Sequence, residues 1–144
     1  MLKVLIVDDE TVVRRGFVLG LEWAALGGGV VGEAANGEEG LAAAERYSPN
    51  LIITDVRMPR MDGIEMMRRL REQDCTAHFI VLTAYDEFDY ARSALRCGAA
   101  DYLLKPFRDQ DLMAAIARVR EQEGAARPAE DTLLLPKGDK SKYV

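Results

Sequence analysis

The sequence predicts an α/β fold, a doubly wound five-stranded parallel sheet with strand order 2-1-3-4-5. Three observations predict it. Five short strand-like runs, at residues 2–7, 30–34, 51–55, 79–82 and 101–104, alternate with five longer segments of helical character. The first, third and fourth runs carry unbroken apolar stretches, at residues 4–7, 51–53 and 79–82, as strands buried on both faces do. Each connection also has room for the helix that a right-handed parallel crossover needs.

Each element has a local cause. Lys3-Val4-Leu5-Ile6-Val7 is an apolar strand that stops at Asp8-Asp9-Glu10. A helix over about 10–22 follows, with Val13, Phe17 and Leu21 four apart on one face. The Gly27-Gly28-Gly29 turn leads into the second strand, and Asn36 is placed to cap a helix that runs to about Tyr47. Ser48-Pro49-Asn50 breaks that helix before the third strand, Leu51-Ile52-Ile53-Thr54-Asp55. Asp62-Gly63 opens a third helix over about 63–73. The fourth strand leads to a helix over about 86–97 that ends at Gly98, a residue suited to a left-handed C′ position. After the fifth strand, the helix over about 108–122 should bury Leu112, Ala115, Ile116 and Val119.

The 144 residues suit one domain, residues 1–122, with 123–144 read as a linker or flexible tail because Ala, Pro, Gly and mixed charge replace the periodic pattern there. Leu133-Leu134-Leu135 is the one apolar patch in that tail. A net charge of -5 argues against nucleic acid or an anionic membrane as the direct partner of this segment. Cys75 and Cys97 have neither metal-motif nor disulfide-framework spacing, which suits a reducing cytoplasm. No apolar stretch reaches membrane-spanning length.

In the predicted strand order, the first and third strands lie side by side at the switch point, where open α/β sheets place their ligands. Asp8, Asp9 and Asp55 then converge at one sheet edge. Three crowded anions cost free energy unless a cation is bound, so the arrangement asks for a metal. Taken one at a time, these residues have blander readings. Asp9 or Glu10 could cap the first helix, Thr83 could be a strand-end hydroxyl bonded to backbone, Lys105 a solvated lysine and Pro106 a helix start. Tyr102 could be a half-exposed strand aromatic. Met58, Met61, Met66 and Met67 read as packing, His78 as structural, and Arg14-Arg15 and Arg68-Arg69-Arg71 as solvated helix faces.

Asp8-Asp9, Asp55 within Thr54-Asp55-Val56-Arg57-Met58-Pro59-Arg60-Met61-Asp62-Gly63, Thr83-Ala84, Tyr102 and Lys105-Pro106 stand in order at successive strand ends. This set resembles the receiver domain of two-component response regulators, over residues 1 to about 122. The resemblance implies the flavodoxin-like receiver fold and a signalling module rather than an enzyme acting on an external substrate. It makes Asp55 the phosphoacceptor for a histidine kinase. It assigns Mg²⁺ to Asp9, Asp55 and the backbone carbonyl of Arg57, with Asp8 acting through water. A hard, octahedral ion shared between carboxylates, waters and phosphate oxygens suits such a site. Lys105 would pair with Asp55 and then with a phosphoryl oxygen, on the inner side of a cis peptide bond to Pro106. Thr83 and Tyr102 would form the switch that remodels the face of helix four, strand five and helix five, including Phe88, Ala91 and Leu95, with homodimerisation on phosphorylation. Arg57 and Tyr85 would flank the route of the hydrolytic water.

The segments 85–91 and 101–106 and the region around Trp23 look like receivers joined to AraC-type DNA-binding modules. On that reading DNA is reached only through an output domain outside these residues, and no membrane is involved. Two alternatives belong to other classes. One is a stand-alone receiver acting by protein docking or phosphorelay. The other is a Mg²⁺-dependent aspartyl phosphatase, which would need a second acid where Arg57 stands.

Overall fold

The computed structural model describes residues 1–84 and 88–132. Five strands and five helices alternate: β1 (Leu2–Val7), α1 (Thr11–Gly20), β2 (Gly28–Ala34), α2 (Gly37–Tyr47), β3 (Leu51–Asp55), α3 (Gly63–Glu72), β4 (His78–Thr83), α4 (Phe88–Arg96), β5 (Asp101–Leu104) and α5 (Asp109–Thr132). All strand pairs are parallel and the order is β2-β1-β3-β4-β5, as expected from the sequence.

The sheet divides the core into two layers because successive side chains on a strand point to opposite faces. Leu5, Val7, Ile52, Phe79 and Val81 pack with Met66, Met67 and Leu70 of α3 and Ala94 of α4. Val4, Ile6, Leu51, Ile53, Ile80 and Leu82 pack on the other face with Leu112, Ala115, Ile116 and Val119 of α5. The central strands β1, β3 and β4 therefore bury nearly every side chain, and the polar residues that end them collect at one edge. Register sets that edge: Val7 lies opposite Ala34 and Thr54, Asp55 opposite Leu82, and Thr83 opposite Leu104.

Local signals account for most boundaries. Asn36 Oδ1 accepts the Glu39 N–H at 2.9 Å, which satisfies an orphan donor of α2, and the Glu39 side chain reaches back to the Ala35 N–H, just before the cap. Asp62 caps α3 in the same way, through the Glu65 N–H at 2.8 Å. Helix α1 ends two residues earlier than its apolar spacing predicts, because Leu21 is extended and buries its side chain from outside the helix.

Helix α5 departs further from expectation. It continues to Thr132, so the segment read as a linker begins as helix. The Leu133-Leu134-Leu135 patch and Tyr85 lie outside the described residues, as do the side chains of Phe88 and Ala91. Among the described residues, no helix is long and apolar enough to cross a membrane.

Two arginines expected on solvated faces are instead internal ligands. Arg14 bonds the Asp8 carbonyl and Glu33. Arg71 donates to the carbonyls of Cys75, Ala77, Cys97 and Gly98 and lies over the Phe79 ring, tying the α3–β4 loop to the end of α4.

Candidate functional site

The site occupies the C-terminal edge of β1, β3, β4 and β5. Ladder bonds continue just past β1, where the Asp8 N–H donates to the Ala34 carbonyl at 3.0 Å. Asp8 is completely buried, while Asp9 beside it is exposed. Asp8 Oδ1 accepts the Glu10 N–H at 2.9 Å. Glu10 holds the N-cap position of α1 but makes no side-chain cap bond, so neither Glu10 nor Asp9 is needed to explain how the helix begins.

Asp55 ends β3 and is almost fully buried. Its Oδ1 accepts the Val56 N–H at 2.9 Å, and the loop beyond is folded back beneath it. The Gly63 N–H donates to the Val56 carbonyl at 2.8 Å. A Cβ on Gly63 would lie 2.2 Å from the Asp55 carbonyl oxygen and 3.1 Å from the Thr54 hydroxyl, so only glycine fits. Gly37 meets the same loop at Met61, whose carbonyl accepts its N–H at 2.8 Å. These close backbone approaches fix where the Asp55 carboxylate points. Arg57 follows in the loop with an exposed side chain.

The remaining residues arrive on β4 and β5. Thr83 is fully buried, and its hydroxyl donates to the Ala84 carbonyl at 3.2 Å. Tyr102 is half-buried and packs against the core layer that contains Val81 and Phe79. The Lys105-Pro106 peptide bond is cis. Lys105 Nζ stands 3.4 Å from Asp55 Oδ1. Next in the chain, Phe107 stacks on Phe17 of α1 with ring centroids 6.2 Å apart, which anchors the loop carrying the lysine.

The electrostatics are those of an acid cluster with too little compensation. Carboxylate oxygens of Asp8, Asp9 and Asp55 all lie within 4.8 Å of one another. Burial pushes the Asp8 carboxyl up to about 6; the Glu10 N–H and the Lys105 ammonium oppose the rise, and the Asp55 and Asp9 charges add to it. Burial also raises the Asp55 carboxyl, against the Lys105 ammonium and the Val56 N–H. Asp8 Oδ2 is buried with no hydrogen-bond partner, a costly state for an anionic oxygen. A hard divalent cation would satisfy that oxygen and the excess negative charge together, so these residues fit Mg²⁺. A depression of about 600 Å³ at the opposite sheet edge, lined by Ser48, Asn50, Gln73 and Cys75, shares no residue with this cluster.

The structure thus brings Asp8, Asp9, Asp55 and Lys105 together, with Thr83 and Tyr102 on the two adjoining strands. The sequence places Arg14 on a solvated helix face, because its position one turn into an exposed helix gives no hint that it reaches the Asp8 carbonyl.

The family model for the response regulator receiver domain matches residues 4–117. The receiver (REC) domain of AraT, a response regulator from Geobacillus stearothermophilus, is 41% identical, with a TM-score of 0.81 over 88% of this chain and 98% of that one. The uncharacterized transcriptional regulatory protein YesN of Bacillus subtilis is 36% identical over 119 residues, which are 83% of this chain and 32% of that protein. The transcriptional regulatory protein HptR of Staphylococcus aureus is 34% identical over 119 residues, 83% of this chain and 46% of that protein. The chain spans 32% and 46% of the length of these two curated relatives.

Proposed function

The chain belongs to the response regulator receiver domain family, and we propose that it is the phosphoacceptor module of a two-component system, with Asp55 as the nucleophile. A carboxylate oxygen of Asp55 attacks the phosphorus of a phosphohistidine on the partner kinase. The P–N bond breaks, the imidazole leaves with the electron pair and takes up a proton, and an acyl phosphate forms on Asp55. The observation that carries this reading is the cluster of three acids, two of them buried, with the Lys105 ammonium at 3.4 Å from the reacting carboxylate.

Each residue has a defined task. Asp9, Asp55 and the Arg57 backbone carbonyl would hold Mg²⁺, with the partnerless Asp8 oxygen beside them. The bound ion would neutralise charge on the carboxylates and phosphoryl oxygens. Lys105 orients the Asp55 carboxylate before transfer and accepts a phosphoryl oxygen after it. Thr83 turns its hydroxyl from the Ala84 carbonyl toward the phosphoryl group, and Tyr102 moves into the space vacated. Those movements remodel the face of α4, β5 and α5, where Leu95 and Leu104 are exposed, and favour a homodimer.

The names of YesN and HptR as transcriptional regulatory proteins, and the part of their length that this chain spans, support a transcriptional output carried by a further DNA-binding domain. The segments 85–91 and 101–106 favour one of AraC type. The module would work in the cytoplasm. Incubation with Mg²⁺ and radiolabelled acetyl phosphate tests the reading: the native chain becomes labelled, and both Asp55→Asn and addition of a chelator abolish the label. Equal labelling of Asp55→Asn would refute it.

A further inference from the structure

The acids at the sheet edge are useful only if the peptide that carries two of them is held still. We propose that Arg14, fixed by Glu33, is the positioning residue that sets the affinity of the Asp8–Asp9–Asp55 site for its divalent cation. This inference rests on the reading of that site as a Mg²⁺ site.

Four connected contacts carry it. The Asp8 N–H is bound to the Ala34 carbonyl on β2 at 3.0 Å. The Asp8 carbonyl accepts Arg14 Nη1 from α1 at 2.5 Å. Arg14 Nε is paired with Glu33 Oε1 at 3.0 Å, and Glu33 is the residue before Ala34 on the same strand. Arg15 holds the second Glu33 oxygen. The Asp8 residue is therefore clamped on both sides, its N–H by β2 and its carbonyl by α1, with Glu33 joining the two elements.

The clamp acts on backbone at the point where the carboxylates diverge. Asp8 turns inward to full burial and Asp9 outward to solvent, yet their oxygens remain within 4.8 Å of each other. Rotation of the peptide between them would separate the pair. The Arg14 side chain is only 14% exposed, so this guanidinium has exchanged water for the carbonyl and the carboxylate. A solvated helix-face arginine gains nothing from that exchange. Partners one step removed from a metal's ligands commonly change its affinity by about 10–100-fold.

The sign of the effect separates positioning from charge. Arg14→Gln removes a positive charge from the neighbourhood of the acids, so long-range electrostatics alone would tighten cation binding. Loss of the clamp weakens it. Titration calorimetry of Mg²⁺ into the native chain, Arg14→Gln, Arg14→Lys and Glu33→Ala is the test, with amide exchange at Asp9 and Glu10 followed in the metal-free proteins.

The expected result is binding by the native chain, roughly tenfold weaker binding by Arg14→Gln, and smaller losses for Arg14→Lys and Glu33→Ala. Exchange at Asp9 and Glu10 should quicken in all three variants. Native-like or tighter binding by Arg14→Gln, with the native chain binding Mg²⁺, would overturn the clamp alone. No binding by the native chain would overturn the metal reading and the clamp with it. If Arg14→Gln does not fold, Arg14→Lys decides: it keeps the charge and both aspartates but loses the forked contacts of the guanidinium, so weaker binding supports the clamp and native-like binding overturns it.

Discussion

The backbone N–H of Lys105 donates to the carbonyl of Thr83 at 2.7 Å, which locks the end of β5 to the end of β4. Two side chains that are distant in sequence are thus delivered to one edge by a bond that neither side chain makes. Truncation of Lys105 should leave that bond intact, with stability in Lys105→Ala within about 0.5 kcal/mol of the parent. The Asp55 carboxyl, however, loses the cation that most opposes its desolvation. Its titration midpoint, followed by the NMR shift of the carboxyl carbon, should move to higher pH. An unchanged or lower midpoint would contradict the 3.4 Å pairing.

The Asp8 carboxyl gives a pH dependence of definite sign. Its folded-state value of about 6 lies above the ordinary 3.8, so protonation favours the folded protein. The contribution to stability is complete below 3.8 and is lost as the pH rises through 6. In metal-free solution at pH 7.5, Asp8→Asn should therefore be more stable than the parent. Discounted for the solvent that reaches Asp9 beside it, the gain is on the order of 1–2 kcal/mol, or roughly 3–6 °C in Tm. The difference should vanish near pH 4, and Mg²⁺ should stabilise the parent but not the variant as strongly. Thermal melts across this pH range check both points.

Gly63 fills a position with no space for a side chain, since its Cβ would stand 2.2 Å from the Asp55 carbonyl. Gly63→Ala should cost at least about 2 kcal/mol in urea unfolding, because the obstacle is backbone and cannot rotate away. It should also displace Asp55 and slow its labelling.

Much of this architecture was legible in the sequence. Strands buried on both faces must be continuous apolar runs, so Val4 to Val7 and Leu51 to Ile53 announce both themselves and the acids that end them. Asn36 and Asp62 announce helix starts because a side-chain oxygen three residues before an orphan N–H has an obvious use. Arg14 and Arg71 were not legible. Their partners, Glu33 and the Cys97 carbonyl, are 19 and 26 residues away, and long-range side-chain contacts leave no periodicity. The length of α5 was missed for a local reason. Gly124 lowers helix propensity, but the helix passes through it to Thr132.

Thr83 and Tyr102 belong to the switch only if filling the site changes the α4–β5–α5 face. With beryllofluoride and Mg²⁺, sedimentation should show a shift of the native chain from monomer toward dimer, and Thr83→Ala should lose that shift. Its hydroxyl makes one modest bond, to the Ala84 carbonyl, so the variant should fold with a cost of about 1 kcal/mol. An equal shift in both proteins would remove Thr83 from the mechanism.

The central claim is that Asp55, and neither Asp8 nor Asp9, forms the covalent bond to phosphorus. Borohydride reduces an acyl phosphate to an alcohol, so a phosphorylated aspartate is converted to homoserine. After incubation with acetyl phosphate and Mg²⁺, borohydride treatment and peptide mass spectrometry should place homoserine at position 55 alone. Homoserine at position 8 or 9, or none at position 55 in chains shown to carry phosphoryl groups, would contradict the assignment.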